Sequence, residues 1–393
     1  MIDLTQILDA PAEVDARCPH FGACGGCQLQ HLRYETQLAH KQTALLALFA
    51  EAGLDEIPTI VPHSAGPWHY RNRIRLRIER VEGQFRFGYN RRASHVFLPV
   101  IECPIAAEPL WGVAAALLEL AKTDATAEAL LDVSAELELF ANHKLSRLQL
   151  TFFARDKRTK SMPQFERVMV ALQEVVGIEL LDAAALVYAD PQSGRIVRTL
   201  SEHGADGLGY RVKDESYWIS RGGFFQVNRF LLDTLVDQVT RNGGAPRAGA
   251  LAWDLFSGVG LFSRPLARSF DRVTAVEANP TAVEDLRRAL KKISPASTAI
   301  AATTVEFLRR AIVDRDRPSL VVLDPPRAGA GVEACELLVK LAPQEIVYVS
   351  CDPTTLARDL AVLMPHYKLT GLHMVDLFPQ TVHVESIAVL NHR

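Results

Sequence analysis

Four short apolar runs in the C-terminal half, each ending in an acid or a tight turn, constrain this fold more than any other feature. They are ALAWDLF, VTAVEAN, SLVVLDPP and EIVYVSCDP, and the segments between them carry helical patterning. A strand that is apolar on both faces needs cover on both faces. Helices alternating with strands supply it by building βαβ units around a parallel sheet. The alternation begins at Phe230 with FLLDTLVDQVTRN, so residues 223–393 are expected to form a doubly wound α/β domain.

The chain upstream reads differently. RNRIRLRIER alternates arginine with Ile74, Leu76 and Ile78, the period of a half-buried strand with a cationic outer face, and FRFGYN after Gly83 reads as its return strand. With ELELFA, SRLQLTFFA and ALVYAD as further strands, residues 66–222 are expected to form an α+β domain that ends near SRGGFFQVN. Residues 1–65 read as a Gly- and Pro-crowded loop, CPHFGACGGC, followed by a connecting amphipathic helix over 32–52 that Gly53 stops.

Composition limits the partners. At 393 residues with 48% hydrophobic content, the chain can bury two or three cores without disulfides. No run of 18 uncharged apolar residues occurs, and the acidic start MIDLTQILDAPAEVDARC is unlike a secretory leader, so a cytoplasmic protein without a membrane partner is expected. The net charge of −3 hides one basic stretch. Residues 68–95 carry eight arginines against two glutamates, interleaved with Tyr70, Phe85, Phe87 and Tyr89, a composition suited to RNA phosphates and bases.

Several motifs fall where the α/β pattern puts a ligand. In AWDLFSGVGLFSRPLA a buried-type strand runs into Gly258 and Gly260, which let a ligand approach the backbone at the strand's carboxyl end. The next strand ends in Glu277, placed for a ribose diol. No third glycine follows for a pyrophosphate, which favours an adenosine ligand such as S-adenosylmethionine. DPPR at 324–327 and Cys351 follow two further strands at the same edge. A thiol just before a helix starting near Thr354 faces a positive helix end, which favours thiolate; Cys335, inside an amphipathic pattern, reads as an inert core residue. His383 and Glu385 precede a last apolar strand, where an imidazole or carboxylate could remove a proton.

Of six cysteines, Cys18, Cys24 and Cys27 follow C-x5-C-x2-C, and Cys103 precedes a proline far downstream. Clustered cysteines in such a chain point to metal or catalysis. Their spacing leaves iron-sulfur and zinc ligation both open.

Taken together, CPHFGACGGCQLQHL, FFQVN, DLFSGVGLF, VEAN, LDPPRAG, YVSCDPTTLARD and FPQTVHVES resemble the bacterial RNA uridine carbon-5 methyltransferase family, over almost the whole chain. The resemblance implies a C-terminal Rossmann-like class I S-adenosylmethionine-dependent methyltransferase domain and an N-terminal α+β iron-sulfur and RNA-binding domain. It implies Cys351 as nucleophile and Glu385 as base, and Gln226, Phe256, Gly258, Gly260, Leu261, Glu277, Thr304 and Asp324 around the methyl donor. Leu261 and Thr304 stand where relatives often carry polar residues, so contacts there are expected to use backbone atoms. Cys18, Cys24, Cys27 and Cys103 match the ligands of a 4Fe-4S cluster in the ribosomal-RNA branch. The position of Cys18 so near the start resembles the short form that methylates uracil 747 of 23S rRNA, with no obligate protein partner. Two competing readings are the same chemistry on another rRNA or tRNA uridine or a small molecule, the last disfavoured by the arginine strand and its aromatics, and a non-catalytic iron-sulfur RNA-binding protein, against which the presence of both Cys351 and Glu385 argues.

Overall fold

The computed structural model describes residues 5–177 and 181–393. Residues 1–4, the start of the stretch compared with a leader, and residues 178–180 of the α+β region lie outside the described residues. The apolar runs assemble into one eight-stranded sheet. Its order is Ile60–His63, Tyr367–Val375, Glu385–His392, Glu345–Ser350, Leu320–Leu323, Gly249–Leu255, Phe270–Glu277 and Thr298–Ala301. All neighbours pair parallel except Glu385–His392, which runs antiparallel to both of its partners.

Gly249–Leu255 pairs on one side with Phe270–Glu277 and on the other with Leu320–Leu323. Connections therefore leave this strand in opposite directions, and such a switch point opens a crevice at the carboxyl ends of the strands. Its residues alternate between two cores: Trp253 and Leu255 pack with Leu45, Phe49, Leu338 and Leu356 on one face. Ala252 packs with Leu232, Val236, Phe262 and Leu286 on the other. Burial on both faces is what a run with no polar alternation requires.

The domain boundaries differ from those expected at both ends of the α+β region. The helix Tyr34–Glu51 is not merely a connector: Leu45 and Phe49 enter the large sheet's core, and Ile60–His63 extends that sheet alongside Tyr367–Val375. At the other end, the hairpin of Gly207–Val212 and Glu215–Ser220 places Leu208, Tyr210, Tyr217 and Ile219 in the second core of the large sheet. Residues 34–63 and the hairpin thus pack with the α/β domain, because their apolar faces match its flanks.

The remaining α+β sheet has the order Phe97–Pro99, Gln84–Asn90, Arg73–Val81, Ser134–Ala141, Leu148–Ala154, Leu181–Ala189 and Ile196–Gly204. Helices Glu108–Thr123, Ala125–Val133 and Phe165–Val176 cover the face that carries Ile74, Leu76 and Ile78. The opposite face corrects the expectation of a free cationic surface. Arg75 pairs with Glu136 and Arg77 with Glu79 there, while Arg80, on the helix-covered face, pairs with Glu128 of Ala125–Val133. Arg73 lies over the Phe140 ring and donates to the Gly223 carbonyl at 2.7 Å, so it fastens the start of FFQVN. Among the described residues no helix is long and apolar enough to cross a membrane.

Candidate active site

The glycine turn is built by backbone geometry. After Gly249–Leu255, Phe256 takes φ 62°, a left-handed conformation that a side-chain-bearing residue adopts only under constraint. Gly260 takes φ 89°, and a Cβ there would meet Leu286 Cδ1 at 2.5 Å. Glu277 locks the turn: its carboxylate accepts from the Gly258 N–H at 2.9 Å and the Asn279 N–H at 2.6 Å. Leu261 departs from a ligand role for its side chain. It is buried in the second core, and its carbonyl accepts the Tyr217 hydroxyl at 2.9 Å. Thr304 is buried at the first turn of Thr304–Asp314, whose N-cap is Thr303 in a capping box with Glu306. Gln226 is buried in FFQVN, its carbonyl held by Asn72 at 3.2 Å.

The antiparallel strand brings the expected nucleophile and base together. Ser350 pairs with Ser386, so one step further along this register sets Cys351 opposite Glu385. On the other side, Leu255 pairs with Leu323, which places Phe256 and Asp324 at the same edge. The Asp324 N–H donates to the Leu255 carbonyl at 3.3 Å. Residues far apart in sequence therefore meet because every one of them directly follows or begins a strand at that edge.

This edge concentrates negative charge in a dry place. Burial raises Asp254 to about 7, although Ser263 donates to one of its oxygens; the other oxygen has no partner. Burial and the charge of Asp254 raise Asp324 to about 7. Burial and Asp324 hold Glu385, only 2% exposed, well above the usual carboxylate range. The thiol of Cys351 is pushed up to about 11 by burial and by Glu385 and Asp324, with Arg327 opposing.

That thiol corrects the expectation of thiolate character from the helix end. The Asp352 carboxylate caps Pro353–Leu363 by accepting from the N–H groups of Thr354 at 2.9 Å and Thr355 at 3.2 Å, so the positive helix end already has its anion. His383 is pushed down to about 4 by burial and by Arg327, whose Nη2 lies 3.4 Å from its Nε2. An imidazole held that low binds a proton weakly, which leaves Glu385 as the stronger candidate acceptor of the two.

Sequence reading missed the groups that hold the Glu385 loop. Lys41 Nζ lies 2.6 Å from Asp376 Oδ1 and donates to the Phe378 carbonyl at 3.1 Å, while the Tyr34 hydroxyl donates to Asp376 Oδ2 at 2.8 Å. Gln37 donates to Gln380 Oε1 at 3.0 Å and accepts from the Gln380 N–H at 3.1 Å. The Tyr70 hydroxyl donates to the Pro379 carbonyl, and Asn228 donates to that of Leu377. A lysine within a mostly apolar helical pattern, LAHKQTALL, was the available signal for a buried ion pair.

Cys18, Cys24, Cys27 and Cys103 all line one cavity of about 270 Å³ with Tyr89 and Arg71. Burial raises the Cys18 and Cys24 thiols and pushes Cys27 up to about 12. The Tyr89 hydroxyl donates to Cys103 Sγ at 3.7 Å. Among the described residues, no three His, Cys, Asp or Glu side chains converge closely enough to hold one metal ion.

Comparison with known proteins fits this geometry. The sequence pattern of the tRNA (uracil-5-)-methyltransferase family matches residues 33–393. A 23S rRNA (uracil(1939)-C(5))-methyltransferase of Shewanella sediminis is 33% identical over 97% of this chain and 83% of its own length. The protein of that name from Shewanella piezotolerans is 34% identical over 96% of this chain and 81% of its own length. Among solved structures, the Pyrococcus abyssi tRNA (uracil-54, C5)-methyltransferase in complex with S-adenosyl-L-homocysteine has the same fold. Its TM-score is 0.69 at 24% identity, covering 94% of this chain and 86% of that one.

Proposed function

This chain belongs to the tRNA (uracil-5-)-methyltransferase family, enzymes that use S-adenosylmethionine to methylate uracil carbon 5 in RNA, and we propose that its own substrate is a uridine of 23S rRNA. The observation that carries the reaction is the register that sets Cys351 opposite Glu385 beside Asp324. The named relatives act on uracil 1939, whereas the short form that the N-terminal motifs resemble acts on uracil 747, so the expected branch gains no support from the relatives. Mapping 5-methyluridine in rRNA and tRNA from cells lacking the gene tests both. Loss at one 23S position supports the proposal and identifies the target; loss only in tRNA overturns the rRNA assignment. An rRNA substrate implies action in the cytoplasm.

Carbon 5 of uracil is a weak nucleophile, and the arrangement answers that problem. The target base must leave its stack to reach Cys351 at the strand edge. The Cys351 thiol gives its proton to water and Sγ bonds to carbon 6; the carbon 5–carbon 6 π electrons shift to the carbon 4–carbon 5 bond and the carbonyl pair moves to oxygen 4 as an enolate, which makes carbon 5 nucleophilic. The donor, when bound, supplies an electrophilic methyl on a positively charged sulfur. Glu385, whose ionised form a positively charged donor at this edge would favour, then takes the carbon 5 proton, and the electrons of that C–H bond re-form the double bond and expel Cys351. Gln226, Phe256, Gly258, Gly260, Glu277, Thr304 and Asp324 are proposed to hold the donor, with Leu261 contributing backbone only.

We also propose that Cys18, Cys24, Cys27 and Cys103 hold a 4Fe-4S cluster. The cavity among them is several times the roughly 30 Å³ of one water, which leaves room for a polynuclear group. Buried thiols above their usual range need positive charge to ionise, and Arg71, whose Nε has no partner in the structure, lines the same cavity. Iron and acid-labile sulfide in protein purified without air would support the cluster; stoichiometric zinc without iron would refute it.

A further inference from the structure

The arginines of this chain fall into two groups. Those of Arg73–Val81 are committed to carboxylates or to a carbonyl. Arg17 and Arg229 are placed differently, at the seam where PWHYR meets FFQVNRF. The Arg17 guanidinium lies over the Trp68 ring, 5.2 Å from its centroid, and its Nη2 is 3.1 Å from His69 Nε2. Arg229 lies over Phe230, 4.2 Å from that centroid, and donates from Nε to the His69 carbonyl at 3.1 Å. Among the described residues neither forms an ion pair with a carboxylate. The nearest acid of the patch, Glu108, stands 4.0 Å from His69.

The patch is rigid and open. His69 takes φ 53°, and its N–H donates to the Pro104 carbonyl at 2.9 Å. The Arg229 N–H donates to the Tyr70 carbonyl at 3.0 Å, and a Cβ on Gly66 would touch Phe230 at 3.8 Å. Phe230 is 37% exposed and Trp68 is half-buried. The same backbone reaches the reaction centre: Tyr70 holds Pro379 ahead of Glu385, and Arg229 follows Gln226 by three residues. Two cations without acids, each stacked on a partly open ring, complement phosphates and bases at once.

We propose that Arg17, Trp68, His69, Arg229 and Phe230 form a stacking platform for unpaired nucleotides flanking the methylated uridine. The assignment rests on the RNA methylation reading and moves the RNA contact from the arginine strand to the seam between the two sheets. Stacking discriminates single strands from duplexes, whose bases are already stacked, while a merely cationic surface binds both.

The test uses the full-length protein, a short fluorescein-labelled single-stranded RNA and a blunt RNA duplex of the same length, read by anisotropy. Trp68→Ala and Phe230→Ala should each weaken single-strand binding about tenfold, with duplex binding unchanged. Trp68→Phe should restore most of the loss, and Arg17→Gln should reduce the salt dependence of single-strand binding. Unaltered calorimetric binding of S-adenosylhomocysteine by each variant shows that it is folded. Single-strand affinity equal to the parent in Trp68→Ala and Phe230→Ala, or an equal loss for the duplex, overturns the platform. Failure of the parent to bind either RNA while it binds S-adenosylhomocysteine overturns the RNA reading itself.

Discussion

Two sets of carboxylates sit at the same edge of the same sheet, and their surroundings are opposite. Asp376, next after Tyr367–Val375, is fully buried, and both its oxygens are satisfied, one by Lys41 and the other by Tyr34. Glu385 stands on the adjacent strand, opposite Val375, and Asp324 three strands from Asp376, with no cation in hydrogen-bonding reach; burial pushes both upward, helped by Asp254 at Asp324 and by Asp324 at Glu385. A buried charge without a partner destabilises a fold, so its presence calls for a reason beyond folding. Asp376 is structure: it ties the N-terminal helix to the loop leading to Glu385. Asp324 and Glu385 are the groups to which the proposed reaction assigns chemistry, and a positively charged ligand at this edge would relieve them together.

The largest effect should come from breaking the satisfied pair. Lys41→Met leaves Asp376 buried with one partner lost and should lower unfolding free energy by about 3–5 kcal/mol in urea titration. Lys41→Met with Asp376→Leu should recover much of it. A loss below about 1 kcal/mol in the single variant would show that Asp376 is no better satisfied than Asp324.

Asp324→Asn tests the opposite side of the comparison. Because the folded protein holds Asp324 above its unfolded value, the stability linked to this group is complete below about pH 4 and is lost as pH rises through about 7. Thermal scans of the ligand-free protein should therefore show the parent losing stability relative to Asp324→Asn between about pH 4 and pH 7, with the difference level above that. Parallel curves would contradict the raised value.

A smaller, local effect should appear at the thiol. With Cys351 pushed up to about 11, its alkylation by iodoacetamide should be slow near neutrality and still accelerate above about pH 9. Asp324→Asn removes one of the raising charges and should speed it severalfold at fixed pH, read by mass mapping of the Cys351 peptide. An early plateau in the parent would mean that the helix end governs the thiol after all. Smallest of all, Arg75→Gln should change stability by less than about 1 kcal/mol, since its pair with Glu136 lies at the surface.

The contrast also explains what the sequence could disclose. The strand runs and the turns that end them are local signals, so the edge carrying Gly258, Glu277, Asp324 and Cys351 was legible without coordinates. What was not legible depended on distant partners. Ile60–His63 joins a strand about three hundred residues away, and Lys41 finds Asp376 across a similar span. The arginine alternation correctly marked a half-buried strand, but nothing local revealed that Glu136 and Glu128 would answer its charges. The helix after Cys351 was legible too; that Asp352 would occupy its N-terminus, leaving the thiol to its acidic neighbours, followed only from the geometry.

The central claim is that Cys351 and Glu385 act at opposite ends of one covalent intermediate. It is tested most directly by incubating Glu385→Gln with S-adenosylmethionine and a 23S rRNA fragment containing the target uridine, followed by denaturing electrophoresis. The account predicts a slow-migrating protein–RNA band that carries the transferred methyl group, because methyl transfer proceeds while proton removal stalls. The same band should be absent from Cys351→Ala, which should also lack activity. Turnover by Glu385→Gln at the parent rate, or methylation by Cys351→Ala, would contradict it.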